Sequence, residues 1–237
     1  MSLRKLLRRT VQAGLLAPPN PLDAIYHTFH SFTMVPREWF LTSLTLAQRV
    51  SHIEGCVIEC GVWKGGMIAG IACVLGPNRK YYLFDSFEGL PPAQEIDGLS
   101  AIEWQQNRES ITYYDNCRAA KETATEAMNL AKAPHFELVA GWFHETIPTY
   151  RHGEPIALLR LDADWYDSTM TCLENLYDRV APGGVIIIDD YHTWDGCSRA
   201  VHDFLSKRSA AERVDCLNSV CFILKRSAES SRRELHK

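Results

Sequence analysis

Apolar residues fall along this chain in short blocks whose period changes from one block to the next. From Pro36 to about Val50 they recur at helical spacing, which predicts an amphipathic helix with Pro36 in its first turn. CVIEC (56–60) is a compact apolar run followed by glycine and predicts a strand. A helix of small residues follows over Gly65–Leu75, then a strand over KYYLFD (80–85) and a Pro- and Gly-rich loop over SFEGLPPAQEIDG (86–98). The polar stretch 103–132 reads as helical. HFELVAG (135–141), IALLRLD (156–162) and GVIIID (184–189) read as strands, the last introduced by a Pro182-Gly183-Gly184 turn. Helices are predicted over Asp167–Arg179 and 194–208. RVDCLNSVCFILKR (213–226) reads as two strands around an Asn-Ser turn.

Strand and helix alternate about every 25 residues. The strands are near-continuous apolar runs, as expected where helices cover both faces of a sheet. The predicted fold class is therefore α/β: an open, doubly wound, mostly parallel sheet with an antiparallel C-terminal hairpin at one edge. Three parts follow from the same pattern: an N-terminal helical arm and linker (1–35), the main domain (36–227) and a tail (228–237). Such sheets bind ligands beyond the carboxyl ends of their strands, at the switch point. The positions of interest are thus Glu59 to Gly66, Asp85-Ser86, Gly141-Trp142, Asp162 to Asp164 and Asp189-Asp190.

Composition narrows the picture. The 237 residues are 46% apolar and 23% charged, with a formal charge of −4, so nucleic acid is not an expected partner. The longest apolar runs are too short to cross a bilayer, and the basic start MSLRKLLRRT lacks the apolar core of a signal peptide. Residues 1–16 read as a short amphipathic helix that packs on its own domain or on a second subunit, which makes a homodimer an expectation. The eight cysteines show no clustered metal or disulfide spacing and read as reduced thiols of a cytoplasmic protein.

Two constellations carry chemistry. The first is IECGVWKGGM (58–67). Gly61 permits a tight turn, and Gly65 and Gly66 let the next helix begin close to a ligand. Asp85, 26 residues after Glu59, ends the following strand, where one carboxylate can hold two ribose hydroxyls. The loop is not G-x-G-x-x-G, so a nucleoside without phosphates fits better than NAD, and S-adenosyl-L-methionine is the natural candidate. A glycine turn that only packs is the plainer alternative. The second constellation is acidic: LRLDADWYDST brings Asp162 and Asp164 to the end of one strand, and VIIIDDY (185–191) brings Asp189 and Asp190 to the end of the next. Carboxylates gathered this way repel unless a cation sits among them, and oxygen ligands favour Mg²⁺, Ca²⁺ or Mn²⁺. Solvated helix caps are the alternative.

ECGVWKGG, LFDSFEGLPP, AGWFHETIP, LRLDADWYDSTM and VAPGGVIIIDDYHTWDGCSRAVHDF occur here in an order that resembles the macrocin O-methyltransferase family, over about residues 25–225. The resemblance implies a class I methyltransferase sheet and transfer of a methyl group from S-adenosyl-L-methionine to a sugar or polyol hydroxyl of a secondary metabolite. It implies that Asp162, Asp189 and Asp190 bind Mg²⁺ and that Asp162 also acts as general base. It implies that Glu59, Gly61, Val62, Trp63 and Gly65, with Asp85 and Ser86, hold the donor. Gly141 and Trp142 follow the next strand; Trp142 reads either as an adenine stacker or as core. A phenolic or catechol acceptor, and a non-catalytic nucleoside-binding module, are the competing functions. His192 reads as an acceptor contact or an exposed orienter, His144 as a residue near adenine, and Trp104, Tyr113 and Tyr114 as an aromatic lid or a plain hydrophobic cover.

Overall fold

The structure, a computed structural model, describes residues 20–151, 153–208 and 212–226. The predicted helix at 1–16 and the tail lie outside them. A first helix, α1 (Asp23–Phe29), and a 3₁₀ turn (His30–Phe32) precede α2 (Arg37–Arg49). The central run is β1 (Cys56–Cys60), α3 (Gly66–Leu75), β2 (Tyr81–Asp85), α4 (Leu99–Gln106), α5 (Lys121–Leu130) and β3 (Phe136–Ala140). After the single turn α6 (Phe143–Thr146) come β4 (Ile156–Leu161), α7 (Tyr166–Leu176), β5 (Val180–Ile188), α8 (Asp195–Lys207), β6 (Val214–Leu217) and β7 (Val220–Leu224).

The seven strands order as β3-β2-β1-β4-β5-β7-β6, with β1 to β5 parallel and β7 antiparallel to both β5 and β6. This is the predicted doubly wound sheet with its C-terminal hairpin. The Asn218-Ser219 turn has φ of 47° and 67°, the left-handed pair that a two-residue hairpin needs. The chain starts mid-sheet and winds outward in both directions, so β1 and β4 flank the switch point.

Side chains alternate across the sheet, and both faces are apolar. Val57, Leu83, Leu158, Val185 and Ile187 pack against α1, α2, α3 and α5. Ile58, Phe84, Leu159, Ile186 and Ile188 pack against α7 and α8. This explains why the strands read as unbroken apolar runs. Each such side chain contributes roughly 1.5–3 kcal/mol by leaving water. Residues 22–35, read as part of the arm and linker, pack into the first of these layers through Leu22, Phe29 and Val35. α2 sits close on α3 because residue 70 is glycine; a Cβ there would come within 2.5 Å of the Phe40 ring.

Two elements differ from the pattern. The stretch 103–132, which reads as helical, holds the end of α4 and all of α5 with a non-helical segment between them. Between them Tyr114, Asp115, Asn116 and Cys117 form a left-handed turn, with φ of 49°, 53°, 55° and 61°. Left-handed residues cost about 1–2 kcal/mol each, and remote contacts hold them here. Leu90 N donates to Asn116 O (3.0 Å), Asn116 Nδ2 to Leu90 O (2.8 Å), and Gln105 Nε2 to Asn116 Oδ1 (3.0 Å). The 86–98 loop is thereby tied down. In addition, β5 starts at Val180, four residues early, because Gly183 N donates to Lys225 O and Lys225 N returns to Gly184 O.

Candidate active site

The carboxyl ends of β1 to β4 open into a cavity of about 900 Å³. Of the predicted donor residues, Gly61, Trp63, Asp85, Ser86 and Trp142 line it, as does Asp162. The cradle is built by Asp85. Its Oδ2 accepts from the backbone N–H groups of Val62 (2.7 Å) and Trp63 (2.8 Å), and its Oδ1 accepts from Phe87 N (2.7 Å). One carboxylate therefore shapes both the loop after β1 and the loop after β2. Burial pushes Asp85 above the usual carboxylate range, and those three N–H groups pull it back. A carboxylate has about four acceptor sites; three are taken, which leaves less room for two ribose hydroxyls than the sequence suggested. Glu88, a residue the sequence reading passed over, brings a second carboxylate to the same wall, with Ser86 bracing its loop through Oγ to Gly89 O (2.9 Å).

Gly61 has φ of +88°, and a Cβ at this position would lie 1.7 Å from Asp162 O. Only glycine lets the donor loop pass so close to the end of β4. Gly65 likewise has φ of +83° and abuts Ala124 of α5. Val62 and Gly65 are buried behind the cavity wall, and Gly141 lies at the mouth of β3 with its N–H on Asp85 O.

The structure gives Glu59 another place than the donor site. Its side chain is 1% exposed and Oε1 bonds Arg160 Nη1 at 2.7 Å. Glu59 and Arg160 are register partners on β1 and β4, and Arg160 faces Ile187 on β5. Alternation sends Asp162 and Asp189, each two residues beyond, to the same side. Arg160 accordingly bridges three carboxylates: Glu59, Asp162 Oδ2 (2.8 Å) and Asp189 Oδ1 (2.6 Å). Burial alone would lower the guanidinium pKa, but the three carboxylates outweigh it and hold the group firmly charged. Burial raises Glu59, which Arg160 opposes, and takes Asp189 up to about 6.

The sequence reading expected Asp162, Asp189 and Asp190 to converge on one ion. The carboxylate oxygens that lie within 4.8 Å of one another belong to Asp162, Asp164 and Asp190. Asp189 differs because its Oδ1 is committed to Arg160. Asp164 enters because φ of +55° turns it back toward β5, where its N–H donates to Asp190 Oδ2 (3.1 Å). Trp194 Nε1 donates to Asp164 Oδ1 (3.0 Å). Burial, and then the neighbouring carboxylates, push Asp164 and Asp190 well above the usual range. One guanidinium does not neutralise five carboxylates, so the trio has the donor set and the charge deficit that suit a hard divalent cation.

Trp194, which bonds Asp164, stacks edge to face with Trp104 and Trp165, the three rings meeting at centroid distances of 5.2–6.3 Å. Trp165 Nε1 donates to Pro91 O (2.9 Å), and buried Asp97 accepts from Tyr166 N (2.7 Å). The β4 side of the cavity is thus tied to loop 86–98. The aromatic residues read as a lid, Trp104, Tyr113 and Tyr114, lie outside the cavity wall. Trp104 and Tyr113 pack together (5.5 Å), and Tyr114 meets Trp63 (6.5 Å). His144 does line the cavity, whereas His192 is exposed and faces the β6–β7 hairpin. Among the described residues, no helix is long and apolar enough to cross a membrane.

Comparison with known proteins agrees with this fold. Residues 29–226 match the macrocin-O-methyltransferase (TylF) family. The chain is 29% identical to a tetracenomycin-C-type rhamnosyl 4'-O-methyltransferase of Streptomyces olivaceus, over 76% of this chain and 69% of that protein. It is 30% identical to mycinamicin III 3''-O-methyltransferase of Micromonospora griseorubida, over 68% of this chain and 65% of that protein. Among solved structures it is similar to the O-methyltransferase NovP, with a TM-score of 0.70 and 25% identity over 83% of each chain. The chain belongs to the macrocin O-methyltransferase (TylF) family, S-adenosyl-L-methionine-dependent O-methyltransferases built on the class I sheet.

Proposed function

We propose that this chain transfers a methyl group from S-adenosyl-L-methionine to a sugar hydroxyl of a glycosylated secondary metabolite, with Mg²⁺ as its metal. The observation that carries this reading is the position of Asp162. It lines the cavity beside the donor loop and also belongs to the acidic trio, so donor and acceptor chemistry meet at one residue. The named relatives that act on rhamnosyl and macrolide substrates support the choice of a sugar.

Donor binding falls to the loop of Gly61 to Gly65, held by Asp85, with Ser86 and Glu88 on one side and Trp142, Phe143 and His144 on the other. Asp162, Asp164 and Asp190 would hold the metal, and Asp189 keeps a second oxygen free of Arg160. Mg²⁺ held there would supply positive charge that lowers the pKa of a nearby hydroxyl. Asp162 is the group placed to take the hydroxyl proton, since it alone of the trio reaches the cavity wall. Arg160 pairs with Asp162 through Oδ2 and leaves Oδ1 outside that pair. What remains is alignment of oxygen, methyl and sulfur, which a rigid cavity supplies. The reading also places the enzyme in the cytoplasm, in keeping with eight free thiols, and makes it a homodimer. Light scattering before and after deletion of residues 1–18 tests the dimer.

A panel of glycosylated and phenolic acceptors, run with S-adenosyl-L-methionine before and after chelation, tests the function. Activity should be confined to sugar-bearing acceptors, vanish with EDTA and return with Mg²⁺. Asp162→Asn should cost roughly 10²–10⁴-fold in kcat/KM. Turnover that survives chelation sinks the metal, and turnover of phenols alone sinks the sugar.

A further inference from the structure

Away from the cavity, at the edge of the sheet, a second cluster of metal-ligating atoms stands outside the machinery described above. Cys216 and Cys221 are direct partners in the β6–β7 hairpin. Leu217 and Val220 flank the two-residue turn, so the Cys216–Cys221 pair is the next one out. Both thiols lie on one face there, and alternation of the ladder brings such side chains close together. His192 projects from the β5–α8 turn onto the same face. Its Nε2 is 3.1 Å from Cys221 Sγ and 3.6 Å from Cys216 Sγ. All three donor atoms lie within 4.8 Å of one another.

We infer that Cys216, Cys221 and His192 form a binding site for a soft divalent transition metal, Zn²⁺ above all. Two sulfurs and one imidazole nitrogen are a zinc donor set. Bond lengths of about 2.3 Å to sulfur and about 2.0–2.1 Å to nitrogen put the S···N edge of a tetrahedron near 3.5 Å. The two S···N distances lie close to that edge, so an ion enters with small side-chain movements. A disulfide between the two cysteines would need no histidine, and the imidazole nitrogen facing both sulfurs favours the metal. His192 and Cys216 are exposed, which leaves a path for the ion and room for a solvent molecule as fourth ligand. On binding, the two thiols give up their protons to solvent and bind as thiolates, with no change of oxidation state. The ion would tie the hairpin to the turn that carries Asp189 and Asp190, three and two residues before His192. This site differs from the acidic trio in its ligands, and its metal is soft where the trio's is hard.

The test uses the full chain, purified under reductant, stripped with a chelator and titrated with Co²⁺. The expected result is thiolate-to-cobalt charge-transfer absorption that saturates at one ion per chain and is displaced by Zn²⁺. Cys216→Ser and the double variant Cys216→Ser/Cys221→Ser should lose it, and Asp190→Asn and the exposed Cys73→Ser should keep it. Zn²⁺ should raise the Tm of the wild-type chain and leave that of the double variant unmoved. Should the cysteine variants lose their circular dichroism, the exposed His192→Ala decides, with weakened absorption expected. Absence of the absorption in folded wild-type protein overturns the inference. So does its persistence in the double variant, or a metal-free Cys216–Cys221 disulfide that survives the reductant.

Discussion

Replacing Arg160 by Met tests the electrostatic frame of the site most directly. The guanidinium is fully buried and pairs with Glu59, itself 1% exposed, and with Asp189 and Asp162. Methionine fills a similar stem volume, so little of the loss arises from packing. What is lost is the only cation among carboxylates that have left water. Breaking a buried pair from one side costs about 3–5 kcal/mol. Asp162 is 29% exposed and adds little, because water screens it. At roughly 2–4 °C per kcal/mol for a chain of this size, Tm should fall by about 6–20 °C. The sign with pH is fixed. Without Arg160, Glu59 and Asp189 take up protons more readily in the folded state than in the unfolded one. Their raised folded pKa values make stability greatest at low pH, and it is lost as pH rises through those values. With Arg160 present Asp189 stands at about 6 and Glu59 at about 8. The gap between variant and wild type should therefore be small near pH 5, open above about pH 6 as Asp189 ionises in the wild type, and widen further above about pH 8 as Glu59 does. Adding Glu59→Gln to Arg160→Met should recover part of it. Thermal and urea unfolding of the three proteins across that range supply the measurement. A single variant within 1 kcal/mol of wild type at pH 8, or a gap that shrinks with rising pH, would refute the reasoning.

Two further outcomes follow from the donor side. Asp85→Asn removes the charged acceptor of three backbone N–H groups; charge-assisted bonds of about 1.5–3 kcal/mol imply S-adenosyl-L-methionine binding weaker by about 10–100-fold in calorimetry, with unchanged binding as the contrary result. Gly61→Ala meets both a φ of +88° and a carbonyl at 1.7 Å, so β1 and β4 must part at the switch point; soluble yield and Tm should fall while Gly76→Ala, where a Cβ has open space, is milder.

Much of this was legible in the sequence, for a physical reason. When both faces of a sheet are buried, strands become apolar runs with sharp ends, and those ends mark the ligand edge. CVIEC, KYYLFD and IALLRLD fell within a residue of β1, β2 and β4. Arg160 escaped notice, although a signal existed: an arginine inside a buried strand must find carboxylates, and two-residue alternation points to Asp162. Asp164 could not be preferred to Asp189, because the choice depends on a left-handed backbone at one residue. The stretch 103–132 reads as helical since local propensity dominates there, whereas Asn116 is held out of a helix by Leu90, 26 residues away. The cysteines showed no cluster because strand register and the path after β5 bring Cys216, Cys221 and His192 together.

The stacked indoles have a consequence of another kind. The chain has six tryptophans. Trp194 bonds the acidic trio and stacks with Trp104 and Trp165, and Trp63, Trp142 and Trp165 line the cavity. Only Trp39 stands apart. Trp194 bonds an oxygen of Asp164 directly, so its emission senses the charge held there. The chain's intrinsic fluorescence is in effect the fluorescence of its candidate site: filling the cavity and filling the acidic trio should each shift the spectrum, without a label.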